Sequence, residues 1–552
     1  MANNLMIPPN LAVATPQPSL TPRDLPLNLI ALIIQHMDDL GDIARLTCTC
    51  RLLYYMALPK LWERVTLRSY TEVRYMDGVP EGFGSGSPFA MGINSLVTGN
   101  VAAYVKSFAL TGEWTELNMD EYTKGRVPDN AMMLNISLRA ALDKMPELET
   151  FKWELNPKLS LNVYQGLAQR PKLSSLTLRF PSTRMARPTT TIPPMPQLRK
   201  FVAYELDPLS YPDDISILIA QSKKLQDLTL HWNPRIRRDA EQSVNVGSYF
   251  GPLVASQRKL PLKRLGFHNF FAAATGPEFH EIVDFLFLEC INILNVKSTR
   301  DHSTVFTDDT WRKKSMKGTP SNLKSYRGDV LDKPHALMLA KCYKMEELIF
   351  VNTSRYYGTD GTSSSNGTPS TPNSADPETP RLLRPSPFEL VHVASDYLAA
   401  IHTAHTHSLK RLLLSDQWLL EPTVVRKLVK ACPNLEQLGV ALADNSPESA
   451  RIFIPDAPKV WAYRALIKPN SELQEKMHGM DPQDLEILVS YEFWRPEYRN
   501  LKFLGMGCTP YKLGSVGKHP NGSGKFLRHC ESLTWAQVSH IEIWGMDNTG
   551  FL

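Results

Sequence analysis

The chain reads as an α/β protein: a short all-α module of three helices near the N-terminus, followed by a solenoid of helix–strand units. Three observations predict this. Residues 25–62 form a dense apolar stretch with helical spacing, the pattern L-x-x-L-x-L returns repeatedly from about Val105 onward, and prolines sit just ahead of many of those returns. The first signal has a period near 3.6 and the second alternates apolar with polar residues, so the two regions call for different elements.

Taken in order, residues 1–20 are a proline-containing tail without a basic start or a long apolar run, expected to be disordered and not a leader. In the module, Leu29, Ile33 and Met37 recur every fourth residue with Ile30 and Ile34 beside them. That makes a helix apolar over most of its circumference. Asp39 or Asp42 is placed to cap a second helix carrying Ile43 and Leu46, with Gly41 at the corner, and a third helix from Arg51 to Ala57 is expected to stop before Pro59. About forty residues cannot enclose so much apolar surface alone. Either a partner protein covers it, or the helices cap a larger domain.

The order of residues in this stretch bears on those alternatives. Leu25-Pro26 opens it, Leu29 and Ile33 lie one turn apart, Asp42-Ile43 precedes Leu46, then come Cys50-Arg51, and Leu61-Trp62 closes it. Residues 21–67 resemble an F-box. The resemblance implies docking on a Skp-type adaptor and, through it, a cullin, with Leu25, Pro26, Leu29, Ile30, Ile33, Leu46, Leu61 and Trp62 as the adaptor-binding positions. Asn28 departs from the acidic residue usual after Leu-Pro, and Leu53 stands where an aromatic is common.

Residues 68–103 read as a linker, with GVPEGFGSGSP at 78–88 as its flexible part. From 104 to 552 the apolar triads recur, among them Leu148-Phe151-Trp153, Leu173-Leu176-Leu178, Leu225-Leu228-Leu230, Ile291-Leu294-Val296, Leu435-Leu438-Val440 and Val538-Ile541-Ile543. Their clean spacings are 25 to 27 residues. Helical stretches such as DDISILIAQSKK, PEFHEIVDFLFLEC, KPHALMLAKCYK and EPTVVRKLVKACP precede several of them, and Pro146, Pro171, Pro196, Pro433 and Pro458 sit two residues ahead of a triad, where proline ends a helix. Units this small must stack to bury their apolar faces. A doubly wound α/β domain also alternates helix and strand, but its strands are continuous apolar runs, unlike these. The pattern resembles an irregular leucine-rich repeat; the asparagine ladder of regular repeats is missing. Residues 353–387, rich in Ser, Thr, Pro and Gly, form an expected mobile insertion with Thr368-Pro369, Thr371-Pro372, Thr379-Pro380 and Ser386-Pro387 as candidate phosphorylation sites.

Composition narrows the function classes. With 61 basic and 56 acidic side chains the net charge is +5, too even to point to nucleic acid, and no run approaches the roughly 20 apolar residues of a membrane helix. Seven cysteines without a C-x-x-C pair suggest reduced thiols in the cytoplasm or nucleus. GSGSP near Ser85 and GKHPNGSGK near Lys525 lack the spacing of a nucleophile elbow or phosphate loop, and His402, His405 and His407 read as polar residues near a helix end rather than as metal ligands. No catalytic residue, metal or cofactor is expected. Between the buried leucines, Lys152, Glu154, Arg179, His231, His268 and Lys297 would share one sheet face and are the candidate target-binding residues, suited to an acidic or phosphorylated segment. The resemblance thus implies a non-catalytic subunit of a ubiquitin ligase that holds an unidentified protein target; the alternative is an F-box-like scaffold acting outside the ligase.

Overall fold

The computed structural model describes residues 26–81, 87–114, 129–181, 190–206, 213–232, 249–268, 279–294, 322–328, 331, 333–351, 387–443, 447–468, 480–506, 509–518 and 526–545. It is a mixed α/β chain built on one large, mostly parallel sheet.

Three helices open it: α1 (Leu27–Gln35), α2 (Leu40–Thr47) and α3 (Arg51–Leu61). Asp39 caps α2 by accepting from the Asp42 N–H at 2.8 Å, as its position suggests, while Gly41 lies inside the helix rather than at a corner. Helix α3 runs through Pro59. At the last turn a proline forfeits one hydrogen bond without breaking the helix, so the expected stop before Pro59 does not occur. Ile30, Ile34, Ile43, Leu53 and Ala57 form a small core of their own, distinct from the main one.

The main sheet has 17 strands. They are β1 (Arg64–Ser69), β2 (Ser107–Gly112), β3 (Thr150–Trp153), β4 (Ser175–Arg179), β5 (Lys200–Leu206), β6 (Asp227–Trp232), β7 (Arg264–His268), β8 (Cys290–Leu294) and β9 (Ser325–Gly328), then β10 (Glu347–Phe350), β11 (Arg411–Leu413), β12 (Leu419–Leu420), β13 (Gln437–Leu442), β14 (Ala462–Leu466), β15 (Phe503–Met506), β16 (Thr509–Lys518) and β17 (Phe526–Ser532). Each strand pairs with its predecessor and successor, all in parallel from β1 to β15, except that β12 joins β13 beside β11; a β15–β16–β17 antiparallel meander ends the sheet. Because a parallel crossover is right-handed, strictly sequential order puts every connecting helix on the same face. These helices include α4 (Pro88–Thr98), α5 (Asp129–Asp143), α6 (Leu161–Ala168), α7 (Asp213–Gln221), α8 (Lys333–Leu339), α9 (Pro387–Ala404), α10 (Pro422–Ala431) and α11 (Pro482–Glu492). Their Leu138, Leu167, Leu218, Val425 and Val489 join Phe151, Trp153, Leu176, Leu178 and Leu438 of the strands in one continuous core.

Backbone hydrogen bonds join the successive units. The residue just before each strand accepts two N–H groups from the next unit: the Glu63 carbonyl from Lys106 and Ser107 at 2.9 and 3.0 Å, the Lys106 carbonyl from Glu149 and Thr150, the Glu149 carbonyl from Ser174 and Ser175, and so on to the Trp461 carbonyl with Lys502 and Phe503. Every unit is thereby locked to its neighbour without side-chain help. Side chains at these positions alternate in sign along part of the row, giving Glu63–Lys106 at 3.0 Å, Glu289–Lys324 at 3.0 Å and Glu346–Lys410 at 2.8 Å. Lysine hydrogen bonds hold the Glu63 and Glu289 carboxyls below their ordinary range.

Four further expectations change. Strand β1 and helix α4, with Phe89, Ile93 and Leu96 buried, occupy much of the stretch expected as a linker, so the helix–strand pattern already begins at Trp62-Val65-Leu67. In the eighth strand the inward triad is Leu288-Ile291-Ile293, three residues earlier than Ile291-Leu294-Val296. The sequence LECINILNV offers both triads, and pairing of Ile293 with Phe267 and Gly328 selects the first. Val538-Ile541-Ile543 forms no strand: these residues lie in and between the short helices α12 (Trp535–Val538) and α13 (Glu542–Gly545). Among the described residues of PEFHEIVDFLFLEC, only Phe279–Ile282 is helical. The insertion 353–387, apart from Pro387 in α9, lies outside the described residues, as do Ser85 and Lys525.

Candidate functional site

Two surfaces merit consideration, the outside of the N-terminal module and the sheet face opposite the helices.

On the module, α1 turns Ile30 and Ile34 inward and leaves Leu29 43% and Ile33 54% exposed. Leu27, Leu32, Leu40, Leu52, Tyr54 and Tyr55 are exposed as well. So many large apolar side chains in water on some forty residues is the mark of an interaction surface. Among the positions expected to dock the adaptor, Pro26, Leu29 and Ile33 face outward. Ile30 does not; it is buried in the module's own core, because it shares a side of α1 with Ile34 rather than with Leu29. Leu46 and Leu61 pack half-buried against that same core, Trp62 packs against the main core, and Leu25 lies outside the described residues. Leu32, also outward, carries no mark in the sequence, because helical spacing alone does not say which side of a largely apolar helix faces inward.

On the sheet, alternation places the residue between two buried apolar positions on the far face. Register aligns Ala109, Lys152, Thr177, Val202, Thr229, Gly266, Asn292 and Arg327 across successive strands. One step further along the strands lie Glu154, Arg179, Tyr204, His231 and His268. Five expected target-binding residues, Lys152, Glu154, Arg179, His231 and His268, therefore share this face. Lys297 lies outside the described residues; the corrected register puts Asn292 in the row, its Nδ2 donating to His268 Nε2 at 3.1 Å. Lys152 pairs with Glu154 at 2.7 Å. The Glu205 N–H donates to His231 Nδ1 at 3.2 Å, across a bulge where Glu205 takes a left-handed φ of 61°.

No family model matches this chain, and comparison with curated proteins finds no significant match.

Burial keeps both imidazoles of the face uncharged. It pushes His231 down to about 3, with Arg179 adding to the effect, and it takes His268 well below the ordinary value, helped by His231 and Arg327. The anion-attracting charge of this face thus belongs to Arg179, Arg327 and Lys152, while the histidines contribute neutral edges. His405 is also buried, its Nε2 on the Leu339 carbonyl at 3.0 Å, and burial lowers its pKa; His402 and His407 are exposed. The trio does not converge, and among the described residues no group of His, Cys, Asp and Glu is placed to hold a metal. Also among them, no helix is long and apolar enough to cross a membrane.

The depressed histidines predict the pH response of stability. In the unfolded chain they protonate below about 6.5, whereas His231 and His268 stay neutral in the fold to far lower pH. Their contribution is complete above pH 6.5 and falls as pH drops below it, at about 1.4 kcal/mol per pH unit for each group. Between pH 6.5 and 5 each is expected to remove about 2 kcal/mol. Urea unfolding at pH 7 and pH 5 checks this: His231→Gln should reduce the loss by about one histidine's share, and an unchanged loss would count against it.

Proposed function

We propose that the chain is the target-recognition subunit of a Skp–cullin–F-box type ubiquitin ligase, in which the N-terminal module docks on the adaptor and the sheet face of β3 to β8 holds a protein target. The observation that carries this reading is the module's outer surface: Leu29, Leu32 and Ile33 stand in water over a core that the module closes by itself. A helix cluster acting only as the cap of a larger domain would turn those residues toward that domain. The strictly sequential sheet, with its helices on one face and a carbonyl-locked turn in each unit, supports reading the remainder as a leucine-rich-repeat solenoid. Such a subunit contributes positioning rather than bond chemistry.

The test is co-purification. A Skp-type adaptor and a cullin are expected with the full chain, and both should be lost on removing residues 21–61, a cut that spares Trp62 and β1. Retention of the adaptor by the shortened chain would refute the docking site; recovery of adaptor without cullin would favour a scaffold working outside the ligase.

A further inference from the structure

The sheet face opposite the helices is covered at its C-terminal end by the chain itself. Residues 533–545 leave β17, fold into α12 and α13, and bury Val538, Ile541, Ile543 and Trp544 against Ile349, Leu413, Ala441, Ala462 and Leu466. Those strand residues alternate with the main-core positions, so this is a second core on the other side of the sheet, across β10 to β14.

The way the segment is held resembles peptide recognition more than core packing. Side chains of the strands read its backbone: Arg464 Nη1 donates to the Ile543 carbonyl at 2.8 Å, and Gln437 Oε1 accepts from the Ile543 N–H at 3.2 Å. Gln437 Nε2 also donates to the Glu542 carboxylate, which pairs with Arg411 at 3.2 Å. Both Gln437 and Arg464 are buried, so the segment's main chain occupies polar groups that would otherwise face water. A glycine makes room for the anchor: a Cβ at Gly505 would lie 2.9 Å from Trp544 Cζ2. The segment also carries its own Thr534–Gln537 capping box, a local fold independent of the sheet. The fit is incomplete at one point, since Trp544 Nε1 is buried with no acceptor among the described residues. An orphaned indole N–H weakens the hold on the occupant.

We propose that the sheet face over β10 to β15 is a recognition groove for a short segment of the pattern apolar–acid–apolar–Trp, occupied in the resting chain by Ile541-Glu542-Ile543-Trp544, and that a partner segment of the same chemistry enters by displacing it. Apolar anchors and the tryptophan supply affinity, Gln437 and Arg464 fix the backbone, and Arg411 selects the acid. The inference stands on this contact alone and does not require the ligase reading. Adaptor binding by the N-terminal module and peptide binding here are separate measurements.

A fluorescent peptide of residues 533–545 tests it by anisotropy on the full chain and on the full-chain variants Trp544→Ala and Glu542→Lys. Both variants loosen the internal occupant, so each is expected to bind the peptide at least tenfold more tightly than the parent chain, and a peptide lacking the tryptophan should not bind. Equal binding to parent and variants, with both variants folded by circular dichroism, would overturn the proposal. Should Trp544→Ala fail to fold, Glu542→Lys carries the comparison, because Glu542 sits at the half-exposed rim. Hydrogen exchange on the parent chain gives an independent reading: amides 538–545 should exchange at least tenfold faster than those of β13 and β14 beneath them, and equal protection would mark the segment as a permanent part of the fold.

Discussion

The double variant Leu29→Asp, Ile33→Asp is expected to lose adaptor binding by at least about a hundredfold while melting within a degree or two of the parent chain. Each position is treated as an interface anchor, and truncating a buried anchor costs about 2 kcal/mol or more, roughly thirtyfold. A carboxylate in the same place adds the cost of burying an unpaired charge. Stability should barely move, because both side chains are already in water, one 43% and the other 54% exposed, while the module's core is built from Ile30, Ile34 and Ile43 on the other side. Helix propensity falls by about half a kcal/mol per aspartate, an amount the three-helix core can absorb. Ile30→Asp is the contrasting control: it places a charge in that core and should unfold the module, removing binding and structure together. Titration calorimetry against purified adaptor, paired with a thermal melt, separates the two. Undiminished affinity in the folded double variant would remove α1 as the docking face.

How legible the fold was in the sequence differs from unit to unit, and the reasons are physical. Triads such as Leu173-Leu176-Leu178 and Leu435-Leu438-Val440 were readable because the three positions point into one core and the residues between them into another environment, so alternation survives in the sequence. Where two triads overlap, as around Ile291, apolarity cannot fix register; only pairing with β7 and β9 does. Val538-Ile541-Ile543 satisfied the same spacing for a different reason, since a segment laid on a sheet must also present apolar residues to it. The antiparallel β16–β17 pair has a local signal, two alternating runs either side of HPNGSG. Of the candidate surfaces, the shared sheet face of Lys152, Arg179 and His231 followed from strand alternation, whereas the outward side of α1 did not follow from helical period. A helix apolar on every side carries no mark of which side a partner will cover.

Arg528→Ala is expected to cost about 4 kcal/mol, for a reason invisible in composition or pattern. Arg528 lies on β17 and is almost wholly buried, and burial pulls its guanidinium below the ordinary value. Carbonyls of three segments surround it. Its Nη2 donates to Leu501 at 2.7 Å, Nη1 to Tyr498 at 2.8 Å and more weakly to Phe493, and Nε to Gly514 at 2.9 Å. Phe493 caps the C-terminus of α11, where the helix dipole favours a cation. The guanidinium is thus solvated by the backbone, tying α11, the turn after it and β16 to the final strand. Alanine would leave several of these carbonyls without donors in a core that includes Phe493, Tyr498 and Leu501, and each orphan costs about 1–3 kcal/mol before relaxation. Arg528→Lys keeps the charge but loses the planar fork, so it should recover less than half of the loss. Urea unfolding of the full chain measures both, with a second reading from hydrogen exchange of β16 and β17, which should lose protection ahead of β3 to β8. A change below about 1 kcal/mol in Arg528→Ala would mean that water replaces the guanidinium at little cost. The C-terminal meander would then be held by Tyr511, Leu513 and Cys530, its own residues in the main core.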